Sequence, residues 1–406
     1  MAGAARYREV FAVGEFRALL ASHLLSIIGD QLARVALAVL VFDRTGSPAL
    51  AALTFALTLV PELIGGPLLA GIGDRRPRRA VMIGCDLARA ALVAFMAVPG
   101  LSLWLLGALL VAVQLVGSPF KAARAAILPE VLAGDRFEVG TSVLFTSLQI
   151  GMLCGYGAGA PLVAWLGTGW ALLIDAGTFA ASAVVVAAGV GPHPPVRTDP
   201  AKPVPLGGFR ETAALVWRDR RLRYLVAMAS LVGFYAAPTG LAVPYAAQIG
   251  AGTAAAGLLL AALPAGSALG AVLLTRLVDP ERRRALLGPL AVATCAALLP
   301  MGLAPGLAVA VGLCALCGLL SGHDSVSVAT FTRTVPAANR GQAYGLALAV
   351  LRAAQGVGIA LSGVLAEVTT PSTAIAVFAA IGTAAGCGVA VGWQRARSAT
   401  VAGTTG

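Results

Sequence analysis

The chain has 406 residues, of which 58% are hydrophobic and 12% charged, with a mean hydropathy of +0.87. Soluble domains carry about 25% charged residues, so this composition excludes a water-soluble enzyme, a disordered chain and a disulfide-stapled secreted domain. The 29 Lys and Arg against 18 Asp and Glu give a net charge of +11, and what that excess means depends on where it lies.

Charges fall in short clusters between long apolar runs. A helix crossing about 30 Å of hydrocarbon needs about 20 mostly apolar residues. In chain order the first six runs of that kind lie near 18–41, 49–72, 80–98, 102–120, 139–162 and 168–190. A polar stretch follows, and six more runs lie near 224–248, 253–275, 285–303, 307–328, 342–365 and 372–393. The expectation is an all-α integral membrane protein with twelve transmembrane helices in two six-helix bundles. The bundles would be residues 1–190 and 224–406, joined by a cytoplasmic linker, 191–223. The 49 glycines lie largely in these runs, where small residues let helices approach closely in lipid. The first run carries Asp30 and Arg34 and leads into another span, so it reads as a span rather than a cleaved signal.

Short-loop Lys and Arg set orientation. They cluster before the first run (Arg6, Arg8, Arg17), between the second and third (Arg75, Arg76, Arg78, Arg79) and between the fourth and fifth (Lys121, Arg124, Arg136). Further clusters fill the central stretch, the 8–9 loop (Arg276, Arg282 to Arg284), the 10–11 loop (Arg333, Arg340) and the carboxyl end (Arg395, Arg397). All of these fall on one face of a twelve-span chain; the other keeps only Arg44, beside Asp43. Both termini and the linker are therefore expected in the cytoplasm of a cell membrane. The basic excess marks that face and its contact with anionic lipid. Nucleic acid is not an expected partner, because no basic patch is interleaved with aromatic residues.

Ionisable residues at membrane depth are costly and face the bundle interior or a cavity. Asp30 and Arg34 share a face of helix 1 at i and i+4, as an internal ion pair or as part of a gate. Glu62 follows Pro61 in the second run with no neutralising neighbour, a candidate for proton exchange or for meeting a cationic substrate. Asp86 and Arg89 are expected near the cytoplasmic end of helix 3, tying it to the basic loop. Arg352 in the eleventh run would counter a carboxylate or an anionic substrate. Asp175, Asp324, His23 and His323 complete the set, the histidines reading more simply as packing or hydrogen-bonding residues. The six cysteines all lie in spans and read as apolar filler; Cys314 and Cys317 have CxxC spacing but no second ligand pair. There is no GxxxxGK[ST] loop, so an intrinsic ATP-driven pump is not expected, and neither a metal nor a cofactor is implied.

The stretch from Gly66 to Arg79, GPLLAGIGDRRPRR, resembles the signature loop between helices 2 and 3 of the major facilitator superfamily. The match falls on Asp74, Arg75, Arg78 and Arg79, and it implies a cytoplasmic latch in which Asp74 bonds across to the other half in the outward-open state. The family usually has glycine four residues before the aspartate; here it is Ala70. Pro119 to Glu130, Pro336 with Asn339 to Gly341, Asp30 and Arg34, Thr45 to Pro48, and Asp86 with Arg89 resemble the branch of bacterial drug and siderophore exporters. Helix 5 departs from that branch: it reads Gly155-Tyr156-Gly157-Ala158-Gly159-Ala160-Pro161, with the proline displaced.

The resemblance implies a monomeric bacterial secondary transporter that exports a drug-like or amphipathic metabolite against protons by alternating access. Transport and coupling candidates are Asp30, Arg34, Glu62 and Arg352; latch candidates are Asp74, Arg75, Arg78, Arg79, Asp86 and Arg89. Import or facilitated passage of a small metabolite stays open, as does a receptor or assembly protein that keeps the fold without transport. An integral membrane enzyme is disfavoured by the lack of a catalytic constellation.

Overall fold

The structure is a computed structural model that describes residues 7–59, 61, 76–193, 213–214, 216–335 and 340–403. Every regular element in these residues is helical. In chain order they are α1 (Tyr7–Ala12), α2 (Gly14–Thr45), α3 (Pro48–Leu59), α4 (Arg78–Met96), α5 (Leu103–Val131), α6 (Asp135–Leu166) and α7 (Thr168–Gly189). Next come α8 (Arg220–Ser230), α9 (Val232–Tyr235), α10 (Ala237–Gln248), α11 (Gly252–Leu277) and α12 (Pro280–Ala296). A 3-10 turn (Leu299–Leu303) leads to α13 (Leu307–Ser321), α14 (His323–Thr334), α15 (Arg340–Val368) and α16 (Pro371–Gly403).

Among the described residues, 10 helical stretches are long and apolar enough to cross a membrane. Three are built from shorter pieces: α8 to α10, α12 with the 3-10 turn, and α13 with α14. The breaks have local causes. Pro238 starts α10 and Pro300 lies in the 3-10 turn, where each removes a backbone donor; Gly322 separates α13 from α14. Two of the twelve expected runs fall outside the 10. One is the run near 49–72, of which α3 and Pro61 are described. The other is α4, whose 19 residues include Arg78, Arg79, Asp86 and Arg89.

Two compact units divide the chain: Met1–Val41 with Val60–Pro200, and Phe42–Leu59 with Ala201–Gly406. In the first, α4 lies between α5 and α7. Leu19, Met82, Phe120, Ile127 and Val186 form its apolar centre, and Phe16 and Leu132 form a second cluster towards α1. In the second, α11 lies against α13 and α12 against α16. Also in that unit, Glu367 of α15 accepts from the Ser47 hydroxyl (2.8 Å) and the Ala49 amide (3.1 Å), which caps the start of α3.

The α11–α13 contact shows what the small residues do. A Cβ on Gly266 or Gly270 would strike the backbone at Ala315 or Leu319, and one on Gly318 would strike the Leu263 carbonyl. The two helices therefore meet backbone to backbone, which maximises dispersion contact where lipid offers no hydrophobic drive. Gly312, on the same helix, has open space around it. Gly318→Ala should cost about 1–3 kcal/mol by overpacking, while Gly312→Ala should be neutral or slightly stabilising; thermal unfolding of both variants in detergent measures the contrast.

Candidate functional site

In the first unit, Arg89 collects polar groups from several helices. It is among the largest fully buried side chains, 1% exposed. It lies in the middle of α4, eleven residues or about 16 Å from the start of the helix. Its Nη2 donates to both carboxylate oxygens of Asp30 on α2, at 2.8 and 2.9 Å, and its Nη1 donates to the Ser26 hydroxyl at 3.0 Å. The guanidinium carbon stands 3.8 Å from the ring centroid of Phe179 on α7, close enough for a cation–π contact. Gly117 of α5 faces the guanidinium on the remaining side, where a Cβ would make ordinary contact at 3.5 Å.

Asp86, one turn before Arg89, is also fully buried. Its Oδ2 accepts from Ser182 of α7 at 2.5 Å, and its Oδ1 lies 3.8 Å from Arg89 Nη1 with no hydrogen-bond partner. Asp175, 1% exposed on α7, accepts from the Thr178 hydroxyl at 3.3 Å. It sits against α2 beside Asp30: a Cβ on Gly29 would fall on Asp175 Oδ1 and Thr178 Oγ1. Three carboxyl groups and one guanidinium thus share the interior of this unit, together with Ser26, Thr178 and Ser182.

Several expected positions change. Arg89 of α4 is the partner of Asp30, one nitrogen reaching both carboxylate oxygens, while Arg34 donates to Gln31 at 3.2 Å on its own helix. Asp86 and Arg89 do not tie α4 to the preceding loop. They lie too far along the helix, and they bind it to α2 and α7 instead. His23 accepts at Nδ1 from Arg124, which makes it a hydrogen-bonding residue. In the second unit, Arg352 donates to Gln355 at 3.2 Å. At the break between α13 and α14, Asp324 accepts from Tyr235 at 2.6 Å, and its other oxygen lies 3.6 Å from His323 Nε2. Glu62, Asp74 and Arg75 lie outside the described residues. Among those residues no group of three His, Cys, Asp or Glu is arranged for a metal.

The serines, Thr178 and Phe179 were not singled out in the sequence, although a signal was present. Ser22, Ser26 and Asp30 recur every four residues on α2, and Asp175, Thr178 and Ser182 follow at three and four on α7. Such stripes mark one helix face.

A second polar cluster closes the end of this unit. Arg78 pairs with Glu130 and donates to the Ala126 carbonyl (3.1 Å), and Arg79 donates to the Ala187 carbonyl. His193 joins Glu15 (2.6 Å from Nε2) to Glu130 (2.7 Å from Nδ1). The Gly191 amide also donates to Glu15, at 2.8 Å. The partners described for Arg78 and Arg79 all lie within the first unit. With an acceptor at each ring nitrogen, His193 satisfies both only as the imidazolium. Partial burial pushes its pKa down, but the hydrogen bonds to Glu15 and Glu130 outweigh that and raise it above the ordinary value.

Two tests follow from these clusters. Arg89→Met leaves Asp30 and Asp86 buried without their cation and should cost about 3–5 kcal/mol; adding Asp30→Asn should recover part of it, as read by thermal unfolding in detergent. Because the folded pKa of His193 is raised, its stabilisation is complete below about pH 6.5 and is lost as pH rises through the raised value. His193→Gln should therefore lower the melting temperature in acid and have a shrinking effect in alkali, measured as a pH series against the unaltered protein.

Known proteins place this geometry. The family model described as Major Facilitator Superfamily matches residues 19–323. No curated protein sequence matches the chain. Among solved structures, a bacterial homologue of the human lysosomal transporter Spinster, inward-facing and unoccupied, is 16% identical with a TM-score of 0.69, over 94% of this chain and 95% of that one. The nucleoside transporter NupG is 16% identical with a TM-score of 0.69, over 93% and 99%. A POT family transporter in complex with a thioalcohol-conjugated peptide is 11% identical with a TM-score of 0.73, over 94% and 96%. The match spans well over half of the sequence: this multi-pass membrane protein belongs to the major facilitator superfamily, a family of secondary transporters and not of enzymes.

Proposed function

We propose that the protein exports a drug-like or amphipathic compound in exchange for protons, by alternating access of two six-helix bundles, 1–190 and 224–406, joined by the linker 191–223. In this reading the chain has twelve spans, acts as a monomer in a bacterial cell membrane, and keeps both termini in the cytoplasm. The observation that carries the coupling step is the sharing of Arg89 between two carboxylates. Its Nη2 holds both oxygens of Asp30, while Asp86 Oδ1 lies 3.8 Å from its Nη1 without a hydrogen bond. A proton arriving on Asp30 weakens the first pair and leaves Arg89 free to move fully to Asp86. Such a move shifts α4 against α2, so protonation is expressed as a helix displacement. Asp175, whose partner is a neutral hydroxyl, is a further place where gaining a proton removes a charge from the interior.

Around this centre the other candidates keep their proposed roles. Glu62 is a second proton-exchanging carboxylate, Arg34 and Arg352 bias the charge of the path, and Asp74, Arg75, Arg78 and Arg79 form the latch.

The test is substrate flux in proteoliposomes with and without an imposed pH gradient, across a panel of amphipathic cations, neutral drugs and small metabolites. Gradient-driven flux should vanish in Asp30→Asn while downhill exchange persists, and Glu62→Gln should lower it. Gradient-driven flux that survives intact in both variants would sink the coupling assignment; uptake in the direction of the proton flow would replace export by import. Absence of flux for the whole panel, with stable capture of a protein partner, would turn the reading to a receptor.

A further inference from the structure

A groove of about 660 Å³ runs along the second unit between α8 to α9, α15 and α16. Trp217, Arg220, Arg223 and Tyr224 line one half, and Leu231 and Phe234 line the other. From the start of α8, positions 220, 224, 227, 231 and 234 alternate steps of four and three and form a stripe along α8 and α9, with Trp217 just before the Asp219 cap. Val350 of α15 and Val389 of α16 supply the facing walls. The stripe is therefore cationic and aromatic at one end and apolar at the other, along its length rather than around it.

Its dimensions fit half a bilayer. Ten residues of helix from Tyr224 to Phe234 rise about 15 Å, half of the roughly 30 Å hydrocarbon thickness. Trp217, 74% exposed, and Tyr224 stand where aromatic side chains mark the membrane–water boundary. Tyr224 is held there by an absence: its ring lies over Gly392 of α16, where a Cβ would overlap it.

The charge is one-sided. Among the described residues no acidic side chain lines the groove. The nearest carboxylate along the chain, Asp219, does not line the groove; its Oδ1 caps α8, accepting from the Arg221 and Leu222 amides at 2.7 and 3.3 Å. A zwitterionic headgroup brings an ammonium that finds no carboxylate in this lining. An anionic headgroup brings only the phosphate that two arginines three residues apart can share.

We propose that this groove binds one anionic phospholipid, with its phosphate at Arg220 and Arg223 and an acyl chain laid along Leu231 and Phe234. The site is separate from the Arg89 cluster and does not depend on what the protein transports. It differs from general attraction of the basic face to anionic lipid in being a single place with a defined depth.

Native mass spectrometry of the full chain, titrated in detergent with phosphatidylglycerol or phosphatidylcholine, tests this. The first phosphatidylglycerol should bind several-fold more tightly than phosphatidylcholine. The double variant Arg220→Gln with Arg223→Gln should lose about fivefold per arginine. Val389→Trp, which fills the apolar half and leaves the charge unchanged, should also weaken the first binding event. The charge-matched control, Arg276→Gln with Arg282→Gln at the end of α11 and the start of α12, should leave it unaltered. Equal binding of the two lipids, an equal loss in the control, or full binding after both groove arginines are replaced would each overturn the proposal.

Discussion

A buried arginine shared by carboxylates organises the first unit. An ionisable side chain at the centre of a membrane helix costs about 3 kcal/mol to insert by translocon scales, and α2, α4 and α7 each carry at least one. None of these helices can compensate that cost alone. Arg89 meets Asp30 from α2, touches the ring of Phe179 on α7 and shares Asp86 with Ser182. The three helices are therefore bound by the same requirement, that a charge removed from water must find its partners in protein.

The second unit is held in a different way. Its helices meet through glycine, with α11 and α13 close enough that Cβ atoms at Gly266, Gly270 and Gly318 would collide with backbone. Contacts of that kind are dense and carry no charge. Its buried ionisable set is small by comparison, with Asp324 and Tyr235 meeting at the break between α13 and α14. Buried charge is thus concentrated in one unit and close glycine-mediated packing in the other.

Outside the spans the positive charge makes specific local contacts. At one end of the first unit, Arg78 and His193 gather Glu15 and Glu130 into a clip that joins the starts and ends of several helices. At the second unit, arginines near the start of α8 stand at the mouth of a groove with an apolar floor. Both are local arrangements of the same basic excess, the first paired with carboxylates within the protein.

Much of this protein was determined by sequence alone, because lipid imposes strict rules. A span must be long and apolar, loops must carry the charge, and deviations are few enough to be conspicuous. The helical class, most of the spans and the presence of ionisable Asp30, Asp86 and Arg89 within them follow from those rules without coordinates. What sequence left open was partnership. Spacing put Asp30 with Arg34 because i and i+4 neighbours are the only ones a single helix reveals. Only tertiary structure brought Arg89 from α4 to Asp30, set Ser182 on Asp86, and laid Asp175 against Gly29. Distance along the chain says nothing about which faces of separate helices meet, and it is those faces, chosen by glycine gaps and by the need to pair buried charge, that decided the site.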